Sequence, residues 1–273
     1  MVDFKILSNK YSHRILITGI GKSGSTALYH AILNSLPSET TCLFEPENSK
    51  QELPENISPP VLIKSFIPYS NIFDFIEKKI LLIRDPRDNL ISLFLYRPYN
   101  IISRDYPGEK EKAITFLRDY KALIRKKEEF PETVSVKEIM EMIGVDPFKR
   151  MQLILDYYEQ HIGIFQMQYE NIVDQNFTEL EEYLGLNISS HYNIPEKFNR
   201  VIRSKKYGNW KNWFVPSDVA YFRPLMKPFF DRFGYADDWE LAQNPELDAG
   251  LGSLYVQRMI EEGEALRSKK KMD

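Results

Sequence analysis

The sequence has almost no cysteine and no long apolar run. Its one cysteine, Cys42, among 273 residues allows no internal disulfide and does not make a zinc site by itself. No stretch approaches the roughly 20 consecutive apolar residues that a membrane helix needs. Residues 1–11 lack the apolar segment of a secretory signal. From these absences we expect a cytoplasmic protein with no membrane span.

An excess of positive charge is also lacking. The chain carries 36 Lys and Arg against 39 Asp and Glu, a net charge of −3, which argues against broad electrostatic binding to nucleic acid. Its 43% hydrophobic and 27% charged residues are those of a globular protein and exclude intrinsic disorder. Any site for a phosphate group must therefore hold its positive charge locally.

Apolar runs alternate with segments of helical spacing along the chain. The predicted strands are residues 14–19, 41–44, 61–63, 80–83 and 164–169. The predicted helices are residues 27–34, 71–78, 86–96, 109–129, 148–160 and 177–184. This alternation predicts an α/β fold with a central parallel sheet flanked by helices. We expect one domain over 1–273, with a helical cap inserted at 97–160 and a helical tail at 237–273.

Residues 19–26, Gly-Ile-Gly-Lys-Ser-Gly-Ser-Thr, join the first predicted strand to the first predicted helix. Glycines let several backbone N–H groups point at one anion. Lys22 adds a full positive charge, and the helix N-terminus adds a partial one. The predicted anion-binding residues are Gly21, Lys22, Ser23, Gly24, Ser25 and Thr26. The alternative interpretation is a glycine-serine turn that caps a helix.

The same loop differs from the phosphate loop of nucleoside triphosphate-binding proteins. That motif is G-x-x-x-x-G-K-[ST], and Leu16, inside the predicted strand, stands at its first glycine. A second Gly-Ser-Thr cluster follows Lys22 instead. The loop is therefore too short for a standard triphosphate site.

Four segments resemble motifs of the sulfotransferases that use 3′-phosphoadenosine-5′-phosphosulfate (PAPS), and they occur in the family's order. The first is the strand followed by Lys-Ser-Gly-Ser-Thr, which resembles the family's 5′-phosphosulfate loop. The second runs from Ile80 to Ser92 and resembles the 3′-phosphate motif, in which Arg84 ends a strand and Ser92 lies eight residues later on a helix. A guanidinium and a hydroxyl suit a phosphate monoester. The alternative interpretation is that the charged residues of this segment only form salt bridges at the start of a helix. That interpretation explains the charges but not the full pattern of a strand followed by Arg-Asp-Pro-Arg-Asp.

The third segment, Met-Gln-Tyr-Glu-Asn around Tyr169, resembles the strand-terminal motif whose tyrosine lies near the adenine. Taken by itself, Tyr169 is interpreted as a half-buried core aromatic. The fourth, from Ile202 to Phe214, resembles the late loop that closes over the cofactor. This match implies that Arg203 binds the 3′-phosphate with Ser204 and Lys205 beside it. Lys205 stands where the family has glycine.

The resemblance implies a P-loop NTPase-like sulfotransferase fold, PAPS as donor, adenosine 3′,5′-bisphosphate (PAP) as product, and no metal. By that match Lys22 stabilises negative charge on the leaving oxygen and on the sulfuryl group. Lys64 stands at the position that assists the sulfuryl group. Phe66 stands where cytosolic members have a histidine base. The replacement base that we expect is Glu45, in a Phe-Glu-Pro segment that several carbohydrate sulfotransferases share. A surface acid is the alternative interpretation of Glu45.

The acceptor is not identified by the sequence. Phe-Glu-Pro favours a hydroxyl of a sugar or glycolipid, and we expect a small-molecule or glycan acceptor and no nucleic acid partner. Two alternative functions remain: a small-molecule kinase that uses ATP and magnesium, and a non-catalytic nucleotide-binding relative. The four histidines have no motif context, and His30 is interpreted as a residue of a helix face rather than a base.

Overall fold

The computed structural model of the chain describes residues 14–46, 59–67, 69, 76–103 and 110–269. It contains two compact units. The first unit comprises Met1–Arg84 and Arg150–Asn199, and the second comprises Asp85–Lys149 and Arg200–Asp273. The single domain over 1–273, with its cap at 97–160 and its tail at 237–273, stays a prediction.

A parallel sheet of five strands lies in the first unit. Its order is β2-β3-β1-β4-β5, with β1 at the centre. The strands are β1 Arg14–Gly19, β2 Thr41–Phe44, β3 Val61–Phe66, β4 Lys78–Ile83 and β5 Phe165–Gln168. All five predicted strands are therefore confirmed. β3 continues to Phe66 because Lys64 and Phe66 still pair with β1.

Helices follow and connect the strands. They are α1 Ser25–Leu33, α2 Pro86–Ser103, α3 Lys110–Glu129, α4 Val136–Ile143, α5 Pro147–Gln160, α6 Tyr169–Val173, α7 Thr178–Leu184, α8 Trp210–Trp213, α9 Pro216–Phe233 and α10 Ser253–Lys269. Within the segment that we predicted as a cap, the described residues contain the end of α2 and helices α3, α4 and α5. The predicted helical tail contains α10.

The predicted helix at 71–78 is wrong at its end, because Lys78 opens strand β4. Residues 71–75 lie outside the described part of the chain. Lys78 donates from Nζ to the carbonyl of Tyr183 at 2.8 Å, and the backbone N of Lys79 donates to the Tyr183 hydroxyl at 3.1 Å. These tertiary contacts bring two polar residues into the strand, which local propensity does not predict.

One face of the sheet carries the main apolar core of the first unit. Alternate residues of neighbouring strands, Ile15, Ile17 and Leu62 among them, are fully buried there. Residues of α1 and α7 pack on the same face, with Leu28 and Leu184 fully buried. Burial of such side chains stabilises the fold by about 1.5–3 kcal/mol each. This packing fixes the start of α1 at the carboxyl end of β1.

In the second unit a buried carboxylate ties helices α4 and α9 together. Asp218 accepts hydrogen bonds from the backbone N of Val136 at 2.8 Å, of Lys137 at 3.0 Å and of Val215 at 3.0 Å. Burial raises the pKa of the Asp218 carboxyl, and the three backbone donors oppose that rise. Because N–H groups at helix starts have no partner within the helix, Asp218 satisfies the beginnings of both helices.

Candidate functional site

The loop between β1 and α1 has an unusual backbone. Lys22 has φ 71° and Gly24 has φ 94°, both in the left-handed region. The hydroxyl of Ser23, which is fully buried, donates to the carbonyl of Ile20 at 2.7 Å. Helix α1 begins directly after Gly24, so its N-terminus adjoins the loop. The predicted anion-binding residues thus form one tight turn at a helix start, a geometry that suits an anion.

Tyr169 packs directly on Gly24. A Cβ added to Gly24 would lie 2.4 Å from Cδ2 and 2.8 Å from Cε2 of the tyrosine ring. Tyr169 is the first residue of α6, one position after β5 ends. The sequence-predicted loop and the sequence-predicted tyrosine are therefore in contact, and only glycine fits at position 24.

Arg84, directly after β4, also reaches this loop. Its Nη1 donates to the carbonyl of Lys22 at 3.0 Å, and its guanidinium carbon lies 4.2 Å from the centroid of the Tyr169 ring. The residue is 7% exposed, and among the described residues its Nε has no hydrogen-bond partner. A buried cation with an unused donor is a feature of sites that take an anion. The structure thus brings Lys22, Gly24, Arg84 and Tyr169 together.

Arg150, on α5, also contacts this loop, and sequence reasoning missed it. Its Nη2 donates to the carbonyl of Gly21 at 2.8 Å. Asp146 accepts from the backbone N of Phe148 and of Lys149, so α5 begins at Pro147 and Arg150 lies in its first turns. The Asp-Pro pair signals a helix start in the sequence, but nothing local signals the contact with Gly21.

Glu45 and Lys64 form an ion pair. Lys64 Nζ donates to Glu45 Oε1, and the backbone N of Glu45 donates to the Lys64 carbonyl at 2.8 Å. Lys64 is 1% exposed, with Nζ 4.6 Å from the ring centroid of Phe44 and 4.3 Å from that of Phe66. A buried ammonium requires such a partner because an unpaired buried charge is costly. The two predicted catalytic residues beyond Lys22 are therefore adjacent.

His30 is a buried residue of α1 and not part of this pair. It packs against the rings of Phe44 and Phe198, with centroids 6.3 and 5.3 Å away. Burial, and then the charge of Lys197, lower the pKa of His30. Both effects favour the neutral form of the ring, as in a core histidine.

The remaining predicted cofactor-binding residues lie in the second unit. Ser92 is buried within α2. Arg203 is half-buried and donates from Nη1 to the carbonyl of Leu251 at 3.4 Å. Ser204 is half-buried and Lys205 is exposed. Lys205 has φ 49°, so the chain keeps a left-handed backbone where the resembling family has glycine.

The charges of the segment after Arg84 serve the second unit itself. Arg87 donates to both carboxylate oxygens of Asp85, with Nη2 2.6 Å from Oδ2. Asp88 accepts from the backbone N of Gly208 at 2.5 Å and of Trp210 at 3.1 Å. The Arg87–Asp85 pair fits the salt-bridge interpretation of this segment. Asp88 has a role that this interpretation does not include. Its two hydrogen bonds hold the backbone of the late loop, residues 202–214, which the sequence analysis identified as a motif.

The described residues contain neither a membrane-spanning helix nor a metal-binding cluster. None of the described helices is long and apolar enough to cross a membrane. In the same ranges, no three His, Cys, Asp or Glu side chains are arranged so that they could hold a metal ion.

Comparison with solved structures shows a likeness of fold. No protein-family model matches the sequence, and no curated protein matches it. Among solved structures, the crystal structure of the mouse sulfotransferase SULT7A1 complexed with PAP is similar to this chain, with 16% sequence identity and a TM-score of 0.50. The similarity covers 82% of this chain and 86% of that chain. The chain therefore has a sulfotransferase-type fold, an α/β fold with a five-stranded parallel sheet flanked by helices.

Proposed function

We propose that the protein is a sulfotransferase that moves the sulfuryl group of PAPS to a hydroxyl or amine of a small-molecule or glycan acceptor. The observation that carries the proposal is the cluster at the loop after β1. There a lysine, a buried arginine and a tyrosine ring meet around a glycine that tolerates no side chain. The sulfotransferase-type fold supports it.

The residues at the loop fit the anionic 5′ end of this donor. Gly24 lets the Tyr169 ring pack directly on the loop, and Lys22 supplies the one full positive charge of residues 19–26. We propose that the N–H groups of residues 21–26 and the Lys22 ammonium hold the 5′-phosphosulfate, and that Tyr169 lies near the adenine. By the sequence resemblance we assign the 3′-phosphate to Arg84, Ser92 and Arg203, and we place Ser204 and Lys205 beside Arg203 as cofactor-binding residues.

The donor supplies an activated sulfuryl group, and the chain supplies position and charge. The acceptor oxygen forms a bond to sulfur while the bond from sulfur to the bridging oxygen breaks, as in phosphoryl transfer. Glu45 takes the acceptor proton, and the electron pair of the broken bond stays on PAP. Lys22 stabilises the negative charge that develops on the leaving oxygen. Lys64 orients the Glu45 carboxylate through their ion pair.

Calorimetry with PAP, in the absence and presence of magnesium, tests the donor. We expect PAP to bind without magnesium and ATP to bind more weakly under both conditions. Binding of ATP that requires magnesium, without binding of PAP, would instead support the small-molecule kinase. Transfer of labelled sulfate from PAPS to an acceptor pool then separates an enzyme from a non-catalytic nucleotide-binding relative. The cytoplasmic location stays a prediction from the sequence.

Replacement of Glu45 by Gln tests the proposed base. We expect turnover to fall by about 10²–10⁴-fold, the usual contribution of a general base, because the amide cannot accept the acceptor proton. PAP affinity should stay within about twofold, since the change leaves the loop after β1 intact. Labelled-sulfate transfer and calorimetry measure the two effects. Glu39→Gln, a nearby acid outside the proposed site, is the control, and unchanged turnover in Glu45→Gln removes Glu45 from the mechanism.

A further inference from the structure

Two arginines from distant parts of the sequence hold consecutive carbonyls of the loop. Arg150 donates to the carbonyl of Gly21 at 2.8 Å, and Arg84 donates to the carbonyl of Lys22 at 3.0 Å. All four residues belong to the first unit. The carbonyl of Gly21 belongs to the peptide group before the Lys22 Cα, and the carbonyl of Lys22 belongs to the peptide group after it. The two hydrogen bonds therefore restrain both φ and ψ of Lys22.

Lys22 needs such support because its φ is 71°. A residue with a Cβ pays roughly 1–2 kcal/mol in this left-handed conformation, and it persists only where the surroundings fix it. The hydrogen bonds from Arg150 and Arg84 oppose relaxation of the backbone on either side of Lys22. Charged donors make these bonds stronger than bonds between neutral groups.

Each held carbonyl also orients an amide. A trans peptide is planar, so the N–H of the following residue points opposite to the carbonyl. When Arg150 holds the Gly21 carbonyl, the Lys22 N–H points away from Arg150. When Arg84 holds the Lys22 carbonyl, the Ser23 N–H is fixed in the same way. Two amides of the loop are thus oriented before any anion arrives, which lowers the cost of binding.

We propose that Arg150 is a positioning residue for the anionic 5′ end of the donor, which it serves by fixing the Gly21 peptide and the left-handed conformation of Lys22. This inference rests on the proposed sulfotransferase function and adds a residue that the four sequence motifs do not contain. Arg150 contacts the Gly21 carbonyl, which lies in the loop that we propose to hold the 5′ end. Its removal therefore weakens ligands that carry a 5′-anion and spares those that lack one.

The test compares PAP with adenosine 3′-monophosphate, which lacks the 5′-phosphate. Calorimetry on the full chain measures both affinities for the wild type, Arg150→Met, Arg150→Lys and the control Lys149→Met. Lys149 is the exposed neighbour of Arg150 on α5. We expect Arg150→Met to weaken PAP by about tenfold or more with adenosine 3′-monophosphate unchanged within about twofold. Arg150→Lys should recover part of the loss, and Lys149→Met should bind like the wild type.

Four outcomes would contradict the inference. If Arg150→Met binds PAP as the wild type does, Arg150 does not position the loop. If both ligands weaken equally, or if Arg150→Lys recovers nothing while thermal unfolding shows it folded, the residue has only a general structural role. A wild type that binds neither nucleotide overturns the proposed function, and this inference falls with it. If the wild type binds PAP and Arg150→Met binds it equally well, the inference is overturned but the proposed function is not.

Discussion

Lys22→Ala will give a folded protein whose turnover is lower by about 10²–10³-fold, the usual loss when one donor to a developing negative charge is removed. The ammonium is the only full charge that the loop residues 19–26 carry. The backbone should survive the change, because the Arg84 bond goes to the Lys22 carbonyl and alanine adopts φ 71° at a cost similar to that of lysine. Labelled-sulfate transfer from PAPS measures turnover, and circular dichroism measures the fold.

Lys227→Ala is the matched control for this change. Lys227 is an exposed lysine paired with Asp231 within α9, and such surface pairs contribute little to stability. The control should therefore turn over like the wild type. Near-normal turnover in Lys22→Ala would contradict the proposed role of this lysine and, with it, the identification of the loop as the sulfuryl site.

Gly24→Ala will abolish PAP binding and destabilise the chain by about 3 kcal/mol or more, the sum of a left-handed alanine and an overpacked contact. The added Cβ would lie 2.4 Å from Tyr169 Cδ2, so the ring or the loop must move. Either movement disturbs the stacking of Arg84 on Tyr169. Chemical denaturation measures the free energy of unfolding, and calorimetry measures the affinity for PAP.

Gly163→Ala separates backbone strain from the steric clash. Gly163 has φ 85°, close to the 94° of Gly24, but a Cβ there meets nothing within 4 Å. We expect it to cost about 1–2 kcal/mol and to leave PAP affinity unchanged. In a Tyr169→Ala background, Gly24→Ala should cost no more than Gly163→Ala does. An equally large cost with and without the tyrosine ring would show that the ring is not what excludes a side chain at position 24.

The sheet was predictable because its strands carry their own signal. β1 reads Arg-Ile-Leu-Ile-Thr-Gly, and its residues from Ile15 onward are buried, as a central parallel strand requires. The start of β4 was not predictable, because Lys78 and Lys79 are polar and pair with Tyr183, more than a hundred residues later. That signal exists only after the chain has folded.

The candidate site divides in the same way. Lys22, Gly24 and Tyr169 stand in local motifs, and each could be selected from its neighbours in the sequence. The contact of Arg150 with Gly21 depends on tertiary packing and has no local motif. The pairing of Glu45 with Lys64 follows from the register of β2 and β3, in which Phe44 lies opposite Lys64. The sequence does not reveal that register, so from the sequence Glu45 and Lys64 are two separate candidate catalytic residues.

The strand order of the first unit also constrains how the chain is assembled during synthesis. Each ladder joins distant segments: Arg14 pairs with Val61, and Ile80 pairs with Phe165. Because loop closure must precede these contacts, such a sheet forms slowly compared with structures built from neighbouring residues. A nascent chain on the ribosome cannot add its fifth strand until the whole helical stretch from α2 to α5 has emerged. Tyr169 follows that strand, so the loop after β1 receives its aromatic cover only when synthesis is well past the middle of the chain.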